Sequence, residues 1–506
     1  MYLSLSSLLS VLSLLVLILL PAIYLKYISS TKTQKKLPPS PWKLPIIGNF
    51  HQLGANFHRS LGDLAKKHGP LMLLHLGSAP VLIVSSRDVA REIMKTHEFA
   101  FLDRGELGIL KKLTYNGKDI VLSDYGENWR QLKSLVVVHL LSNKRVESFQ
   151  QVREEEIALM MDKIGETCGS VIDFTELFLS LVNSVLCRVT FGRKYSDKNF
   201  IGMVEEFKKL VVILSVGQYI PCLSWVDWLR GLNVKTEKVA KKFDEFLEGV
   251  IEERLDSNLR ESNDVKSMTV EHGKYFIDIL LEKQKEGVNN FHIDRDTIKA
   301  VILDMFAGAV DTTFTTLEWA LSELVRNPRV MKKLQKEISL IAKGKPKVTV
   351  DDIGKLEYLR LVFKETLRLH APAPLVIRAS SQDVKLLGYD IKAKTRVFIN
   401  VWAIGQDPAI WEEPEEFRPE RFLDTPFDYK GNHYEFIPFG GGRRGCPGIH
   451  FANTLMELVL ANVVYKFDVA VPNGERGENL DMSENSALTV HRKNHLLLVA
   501  TPRSES

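Results

Sequence analysis

The loop Phe439-Gly440-Gly441-Gly442-Arg443-Arg444-Gly445-Cys446-Pro447-Gly448 stands directly before an apolar helical pattern and is the most informative stretch of this chain. A helix N-terminus and neighbouring cations both lower the pKa of a thiol, and the thiolate is both a nucleophile and a metal ligand. The glycines permit backbone conformations closed to other residues, so N–H groups can turn toward the sulfur and a large planar ligand can lie on the loop. The loop therefore predicts a reactive or metal-bound Cys446.

Three other interpretations compete for this loop. A phosphate-binding loop needs a Gly-Lys-Ser/Thr ending, which is absent. A cysteine hydrolase needs His and Asn or Asp partners brought close by the fold, and the linear order of residues leaves that interpretation open. A buried inert cysteine is the commonest fate of a lone thiol, but it does not explain the glycines and arginines.

The composition is that of an ordinary folded protein. The chain has 506 residues, 45% of them hydrophobic and 26% charged, which excludes disorder, collagen and a disulfide-stapled mini-domain. The 67 Lys and Arg against 63 Asp and Glu give a formal net charge of +4, which does not support a nucleic-acid partner. The four cysteines contain no CxxC pair, which argues against structural zinc and favours a reducing compartment.

The first segment predicts a membrane anchor. Residues 2–25 carry no charged side chain, and a helix of that length covers the roughly 30 Å hydrocarbon core of a bilayer. Lysines 26, 32, 35 and 36 follow the apolar run, so the body is expected to stay in the cytosol. We expect an anchor at 1–25, a basic, Pro-rich linker at 26–45, and one large domain at 46–506.

Periodicity predicts a mainly α fold with small β-sheets. A short helix and a β-hairpin separated by residues 77–80 occupy about 58–84, and short strands are expected around 384–400 and 486–501. No βαβ alternation is present, and a polar loop is expected at 256–274. Helical patterns cover 145–165, 173–192, 201–216, 236–255, 275–286, 294–326, 329–343, 351–370 and 447–466.

The helix predicted at 294–326 has an unusual centre. Asp294 is a good N-cap, and the stretch DMFAGAVDTTFTT at 304–316 mixes small and hydroxyl residues. The small residues allow close approach of a flat or bulky group, whereas Asp311 and Thr312 are polar groups that need partners in a buried helix. A tight helix crossing with satisfied threonines explains the pattern equally well.

The motifs resemble those of the cytochrome P-450 monooxygenases. The haem-binding signature F-x-x-G-x-R-x-C-x-G is matched at every fixed position. The E-x-x-R and P-E-R-F motifs precede it in the chain, in the order that the family requires. The resemblance runs from the anchor to the C-terminus and is greatest to the plant A-type branch, family seventy-one. The matched positions are Phe439, Gly442, Arg444, Cys446 and Gly448 for the signature, and Glu365, Arg368 and Arg421 for a structural triad.

The resemblance implies a haem-thiolate enzyme. By similarity, Cys446 is the axial ligand to the iron of haem b and favours cleavage of the O–O bond of dioxygen. Trp129, Arg378 and Arg444 stand where the family reaches the haem propionates. Asp311 and Thr312 match the pair that supplies protons to dioxygen, which favours a monooxygenase over a haem-thiolate isomerase, dehydratase or simple haem-binding protein.

The chain departs from the family pattern at four positions. Ala309 replaces the usual second glycine of the central helix, and Ile377 and Ala379 flank Arg378 where proline and glutamate are common. Lys133 replaces the arginine of the Trp-x-x-x-Arg pattern. These changes leave the reaction class intact and put haem seating, the substrate outline and the efficiency of oxygen use in doubt.

The resemblance also implies partners and a substrate class. Electrons should come from the membrane-bound NADPH-cytochrome P-450 reductase through a basic face including Arg130, Lys133, Lys144, Arg145 and Arg443. Aromatic and apolar residues within 207–232 should touch the endoplasmic reticulum membrane. A lipophilic metabolite such as a terpenoid, terpene-derived indole alkaloid or coumarin is expected in a pocket lined by Leu107, Ile109, Leu210, Met305, Ala309, Leu375, Val376 and Leu488.

Overall fold

The computed structural model describes residues 36–503, except 106–107, 109, 196–201, 205, 208, 211–214, 264–273, 288–291 and 487–488. The predicted anchor at 1–25 lies outside the described residues, as do the pocket candidates Leu107, Ile109 and Leu488. The prediction of one domain at 46–506 stays a prediction.

The described part of the chain is mostly helical, as predicted. Its α-helices are α1 (Phe57–His68), α2 (Arg87–Arg91), α3 (Leu110–Leu113), α4 (Glu127–Leu135), α5 (Asn143–Ser148), α6 (Gln150–Glu166), α7 (Phe174–Phe191), α8 (Val216–Tyr219), α9 (Ser224–Leu229), α10 (Leu232–Asn263), α11 (Phe276–Glu286), α12 (Arg295–Arg326), α13 (Pro328–Ala342), α14 (Val350–Ile353), α15 (Glu357–Leu369), α16 (Val401–Gly405) and α17 (Ile449–Lys466). Short 3₁₀ turns span Phe50–Gln52, Glu98–Phe101, Pro221–Leu223, Pro419–Phe422, Gly442–Arg444, Pro472–Gly474 and Gly477–Asn479, and π turns span Glu92–Thr96 and Val136–Leu140.

The strands form small sheets beside the helices. They are β1 (Leu71–Leu76), β2 (Ala79–Val84), β3 (Val171–Asp173), β4 (Leu375–Ala379), β5 (Val384–Leu386), β6 (Tyr389–Ile391), β7 (Arg396–Asn400), β8 (Phe467–Ala470), β9 (Glu484–Ser486), β10 (Val490–Arg492) and β11 (Leu497–Pro502). The largest sheet has the order β1-β2-β7-β4, with β2 and β7 parallel. The other sheets pair β3-β11-β8, β9-β10 and β5-β6.

The predicted hairpin is confirmed, with a tighter turn than expected. Gly77 and Ser78 alone make the turn, and Pro80 belongs to β2, where it pairs with His75. Gly77 has φ +60°, a conformation that favours glycine. Proline is tolerated because β7 pairs with β2 only from Val81 onward, so no ladder bond is lost at Pro80.

Three helical boundaries differ from the sequence patterns. The prediction of a loop from 256 is wrong over its first part, because α10 continues to Asn263 with no proline or glycine between 250 and 263 to stop it. The single helix predicted at 351–370 is two helices, α14 and α15, separated at 354–356. The last long helix begins at Ile449 rather than 447, after Pro447 and Gly448.

The central helix α12 lies in the core and organises it. The Asp294 side chain accepts a hydrogen bond from the Thr297 N–H at 2.9 Å, which confirms the predicted N-cap. One large apolar cluster joins α12 to α7, α15 and α17 through residues such as Phe178, Leu317 and Val459. In the described part of the chain, α7 and α12 are long and apolar enough to cross a bilayer, but both are mostly buried in the protein and are core helices.

Candidate functional site

The cysteine loop holds a bent conformation that only glycine allows at two positions. Gly440 and Gly442 have φ of +70° and +64°. A Cβ on Gly442 would collide with Glu98 Oε1 and lie 2.9 Å from the Met94 carbonyl oxygen. The Cys446 N–H donates to the Phe439 carbonyl at 3.0 Å, and the Gly448 N–H donates to Cys446 Sγ at 3.4 Å. The loop thus folds around the sulfur as the pattern predicted.

The protein by itself does not make Cys446 an easily formed thiolate. Desolvation raises the pKa of the Cys446 thiol although the residue itself is exposed, and the Gly448 N–H and the Lys133 ammonium lower this pKa by less. The expectation that neighbouring arginines would lower it is wrong, because Arg444 points toward backbone carbonyls and Arg443 toward Glu98. A bound cation of high charge deprotonates a coordinating thiol outright, so the sulfur suits a metal more than a free nucleophile.

The side chain of Arg444 is held between the loop and α4. Its guanidinium donates to the carbonyls of Leu102 at 2.8 Å and Ser123 at 2.7 Å, and its Cζ lies 4.1 Å from the centre of the Trp129 ring. The Trp129 indole N–H donates to the Ile120 carbonyl at 3.0 Å. Trp129 therefore supports Arg444 as well as standing at the predicted propionate position.

Arg378 and two further cations reach the same place. The buried Arg378 donates to the Ile377 carbonyl at 2.9 Å and contacts the Gly441 carbonyl at 3.5 Å. Arg104 also donates to the Ile377 carbonyl. Lys133 donates to the Gly445 carbonyl at 2.8 Å, so it faces the cysteine loop, and its assignment to the basic docking face stays a prediction.

We call Arg104, Lys133, Arg378 and Arg444 the cation cluster. Within the described residues, none of the four forms an ion pair with a carboxylate. Burial, followed by repulsion from neighbouring cations, lowers the pKa of Arg378 well below its ordinary value and that of Arg444 to about 9. Burial likewise lowers the pKa of Lys133 to about 8 and that of Arg104 to about 10.

The cation cluster fits a planar, dianionic cofactor. Arg378 and Arg444 are buried and Arg104 and Lys133 are half-buried, and cations in such places without a carboxylate at ion-pair distance are costly. An anionic ligand with two carboxylates relieves both the desolvation and the mutual repulsion. The two propionates of haem b have this charge. The residues present therefore fit haem, and Cys446 stays its predicted axial ligand.

Arg104 was missed by sequence reasoning. Its neighbours Asp119 and Asp304 are buried, and Asp304 Oδ2 accepts the Ile120 N–H at 2.7 Å, which ties the 119–123 segment to α12. Burial, with repulsion from Asp119, raises the pKa of Asp304 well above its ordinary value. An arginine followed by glycine in a loop carries no local pattern, so only the position of β4 beside the cysteine loop reveals Arg104.

The predicted structural triad is assembled and buried. Arg368 Nε lies 2.7 Å from Glu365 Oε2, and Arg421 Nε lies 2.8 Å from Glu365 Oε1. Arg368 also donates to the carbonyls of Gly405 and Pro414, both at 2.7 Å. Each charge thus has partners, as a buried ion pair requires.

The central helix opens to the interior at the predicted motif. The Thr312 hydroxyl donates to the Gly308 carbonyl at 2.7 Å, and a Cβ on Gly308 would meet nothing within 4 Å. The residues between 297 and 325 that are not fully buried are Ala307, Gly308, Ala309, Asp311 and Thr312. A helix buried on either side of one open stretch offers a flat group or a small molecule a place beside Asp311 and Thr312.

The described pocket candidates have different surroundings. Val376 lies next to the cysteine loop, since a Cβ on Gly440 would come within 3.8 Å of it, and Leu375 is half-buried in the same strand. Ala309 borders the opening of α12. Leu210 and Met305 are buried in apolar clusters and show core packing. Ile377 turns its carbonyl to Arg104, and Ala379 is buried against Gly105.

Comparison with known proteins assigns the family. The family model "Cytochrome P-450" matches residues 38–499. Cytochrome P-450 71A4 of Solanum melongena is 49% identical, with 94% of this chain and 95% of the relative covered. Norfluorocurarine oxidase of a Strychnos species is 46% identical, with 93% and 94% covered.

A solved structure agrees with this assignment. A zebrafish cytochrome P-450 with progesterone has a TM-score of 0.74 and 25% identity, covering 88% of this chain and 99% of that chain. The mainly α fold with small sheets is therefore the fold of this family, and its members bind haem through a cysteine thiolate. The chain belongs to the cytochrome P-450 family and is a haem-thiolate monooxygenase.

Proposed function

We propose that this enzyme is anchored in the endoplasmic reticulum membrane and oxidises a lipophilic plant specialised metabolite with electrons from NADPH-cytochrome P-450 reductase. The substrate class is a terpenoid, a terpene-derived indole alkaloid or a coumarin, and the reaction is a hydroxylation, epoxidation, ring closure or desaturation. The observation that supports this most is the cation cluster beside Cys446, together with the opening of α12 at Thr312.

The haem, when bound by Cys446, supplies the activation of dioxygen. The residues of the chain seat it and handle protons: Arg104, Arg378, Arg444 and Lys133 neutralise its carboxylates, and Trp129 supports Arg444. Phe439, Gly442 and Gly448 shape the loop around the sulfur. Thr312 and Asp311 stand at the open stretch of α12, where a hydroxyl and a carboxyl can hold water and pass protons to the reacting oxygen.

A lipophilic substrate suits the apolar residues around this opening. Ala309, Leu375 and Val376 present small or aliphatic side chains, and apolar walls with few polar groups are typical of such pockets. The printed name of the Strychnos relative, an oxidase of norfluorocurarine, is consistent with a specialised metabolite as substrate. The choice among the three compound classes is left to the experiment below.

The reductase is proposed to dock on the face that carries Arg130, Lys144, Arg145 and Arg443. Arg443 is half-exposed and forms an ion pair with Glu98 at 3.3 Å, and Arg130 pairs with Glu127. Exposed cations of this kind attract an acidic partner with a rate that falls with salt. Lys133 belongs to the same proposed face and also donates to the Gly445 carbonyl of the cysteine loop.

Membrane contact is supported by exposed apolar side chains at one end of the protein. Trp225 and Trp228 in α9 are 55% and 75% exposed, and Trp42 and Ile46 are 70% and 66% exposed. The two groups are neighbours, because the β1–β2 turn contacts both the Ile47 carbonyl and the Tyr219 carbonyl. Clustered aromatic and aliphatic side chains of this kind are typical of protein surfaces that contact a bilayer interface.

The test is product formation in microsomes that contain the full chain and a co-expressed reductase, screened against the three compound classes. We expect NADPH-dependent product, with an oxygen atom from labelled dioxygen for hydroxylation or epoxidation. Product without NADPH would instead identify a haem-thiolate isomerase or dehydratase. Absence of a thiolate-type carbon monoxide band, or its persistence in Cys446→Ala, would contradict the assignment of the axial ligand.

Two threonines on α12 provide a matched comparison for the proton pathway. Thr312 and Thr316 each donate to the carbonyl four residues earlier at 2.7 Å, but Thr316 is 3% exposed and Thr312 borders the opening. We expect Thr312→Ala to lower product per NADPH on the order of a hundredfold, as for loss of a general acid. Thr316→Ala should leave it unchanged, and equal effects would reject the role of Thr312.

A further inference from the structure

A buried tryptophan on the central helix is linked through strand β10 to the segment that leads to the pocket candidates Leu375 and Val376. Trp319 lies two turns beyond Thr312, about 10 Å along α12, and is fully buried. Its indole N–H donates to the Val490 carbonyl at 3.0 Å. The Val490 N–H in turn donates to the Pro372 carbonyl at 2.8 Å. One residue of β10 therefore connects the central helix to the chain that leads into β4.

His370 completes this connection from the other side. Its ring is stacked on the Trp319 indole, with centroids 4.1 Å apart and planes 5° apart. Its Nε2 lies 2.7 Å from Glu323 Oε1, so the ring is fixed to α12 at a second point. The half-buried pocket candidates Leu375 and Val376 follow five and six residues after His370. The 370–376 segment is thus attached to α12 at its base.

The neighbouring contacts fix β10 along its length. The Arg492 N–H lies 3.3 Å from Glu318 Oε2, and Arg492 Nη1 lies 3.2 Å from Ser322 Oγ. One face of α12, formed by residues 318, 319, 322 and 323, therefore holds both segments. Polar contacts that are buried and directional specify one arrangement more strongly than apolar packing does.

We propose that Trp319 and His370 are positioning residues that fix the 370–376 segment to α12, and thereby set the shape of the substrate pocket at Leu375 and Val376. This inference rests on the proposed function, because it concerns the pocket of the same site. The bracket, defined as Trp319, His370, Val490 and Pro372, ties the pocket walls to the helix that carries Thr312. The orientation of a substrate relative to that threonine therefore depends on residues that touch neither substrate nor haem.

The test compares two tryptophans with the same kind of bond. Trp411 is also buried, at 3% exposed, and its indole N–H donates to the Ile404 carbonyl at 3.2 Å, in a cluster with Phe422 and Phe436. Trp319→Phe and Trp411→Phe each remove one buried hydrogen bond and keep an aromatic ring. The holoenzyme is titrated with imidazole and with 4-phenylimidazole, and each Kd is read from the shift of the Soret band.

We expect Trp319→Phe to raise the Kd of 4-phenylimidazole about fivefold and to leave that of imidazole unchanged, because only the phenyl group reaches the pocket walls. Trp411→Phe should leave both Kd values unchanged. If the ratio of the 4-phenylimidazole Kd to the imidazole Kd is unchanged in Trp319→Phe, the proposal is overturned. A purely structural residue would lower stability without changing this ratio of Kd values.

A second variant keeps the test decisive if Trp319→Phe loses its haem. His370→Gln removes the ring stacked on Trp319 and retains a donor for Glu323, and it should raise the Kd ratio in the same direction. If both variants lose haem, the bracket is only a scaffold and the proposal fails. A wild-type chain without a Soret band would instead contradict the proposed function.

Discussion

The triad and the cation cluster are two sets of buried charges that the fold treats in opposite ways. In the triad, Glu365 is matched by Arg368 and Arg421 at 2.7 and 2.8 Å. In the cation cluster, four cations contact backbone carbonyls and, within the described residues, no carboxylate at ion-pair distance. The triad, Arg378 and Arg444 were expected from sequence motifs, whereas Arg104 was missed and Lys133 was assigned to the docking face. Only the geometry separates the roles of the two sets.

The difference shows which charges serve the fold and which serve a ligand. In a matched buried pair, both ions lose hydration free energy, and the short, well-directed bonds between them compensate for that loss. Such a pair therefore requires no ligand. An unmatched set keeps its desolvation cost until an anion arrives, and burial accordingly lowers the pKa values of its members. The cation cluster therefore fits the anionic carboxylates of a ligand, as proposed above.

The largest expected effect tests the matched set. Glu365→Gln leaves Arg368 and Arg421 buried without their carboxylate, which we expect to destabilise the protein by about 3–5 kcal/mol. Expression should yield little folded, haem-loaded protein, measured as the ratio of Soret absorbance to total protein. The control is Glu412→Gln, whose carboxylate is 81% exposed and pairs with Arg418 at 2.9 Å. If the two variants behave alike, the triad has no special role in stability.

The next effect tests the cation cluster, and we expect opposite signs for the stability of the haem-free protein and for the retention of haem. Arg378→Met removes a buried cation, so the haem-free protein should keep or raise its Tm, whereas haem retention should fall about tenfold. Haem transfer to excess apomyoglobin measures retention. Arg443→Met, at a side chain 52% exposed, should change neither quantity. If the haem-free Arg378→Met variant has a lower Tm than the wild-type chain, Arg378 stabilises the fold, and its contrast with the triad is contradicted.

The third effect concerns an unmatched anion away from the site. Burial raises the pKa of Glu457 to about 7, with the Arg360 cation opposing it. Because the folded pKa lies above the ordinary value, this stabilisation of the protonated form is present below about pH 4.5 and is lost as pH rises to 7. Glu457→Gln should reduce the loss of stability between pH 5 and 8, so that its free energy of unfolding at pH 8 is about 2 kcal/mol higher than it would be with Glu457. Tm measured across this pH range should accordingly fall less steeply in the variant.

The control for this prediction is an exposed carboxylate. Glu475→Gln lies at an exposed position outside the helices and should reproduce the wild-type pH dependence. An identical slope in Glu457→Gln and wild type would mean that Glu457 is charged in the folded protein throughout this range.

Sequence patterns located most helices, the hairpin and the triad because each depends on local spacing. The period of apolar residues placed α12 within one residue, and Asp294 marked its start through a side-chain bond to a residue three positions away. The E-x-x-R motif puts Glu365 and Arg368 on one helix face, so their contact follows from helix geometry. The end of α10 was misplaced because polar composition was taken for a loop where no helix breaker occurs.

Three features of the site could not be predicted locally. The pKa of Cys446 depends on desolvation in the fold and on the charge of Lys133, which is distant in the chain, and the arginines beside it in sequence turn away in space. Lys133 faces the cysteine loop because α4 packs against it. Arg104 joins the cation cluster only because its loop lies beside β4.

The amino-acid sequence by itself determined the family, the central helix and the partners in the triad, and it predicted the axial cysteine, because motifs and periodicity act over a few residues. The tertiary structure alone decided which buried charges are matched, which stretch of α12 is open and which loops Trp319 connects. These properties depend on the burial of groups far apart in the chain, and desolvation and ion pairing act through space rather than along the backbone.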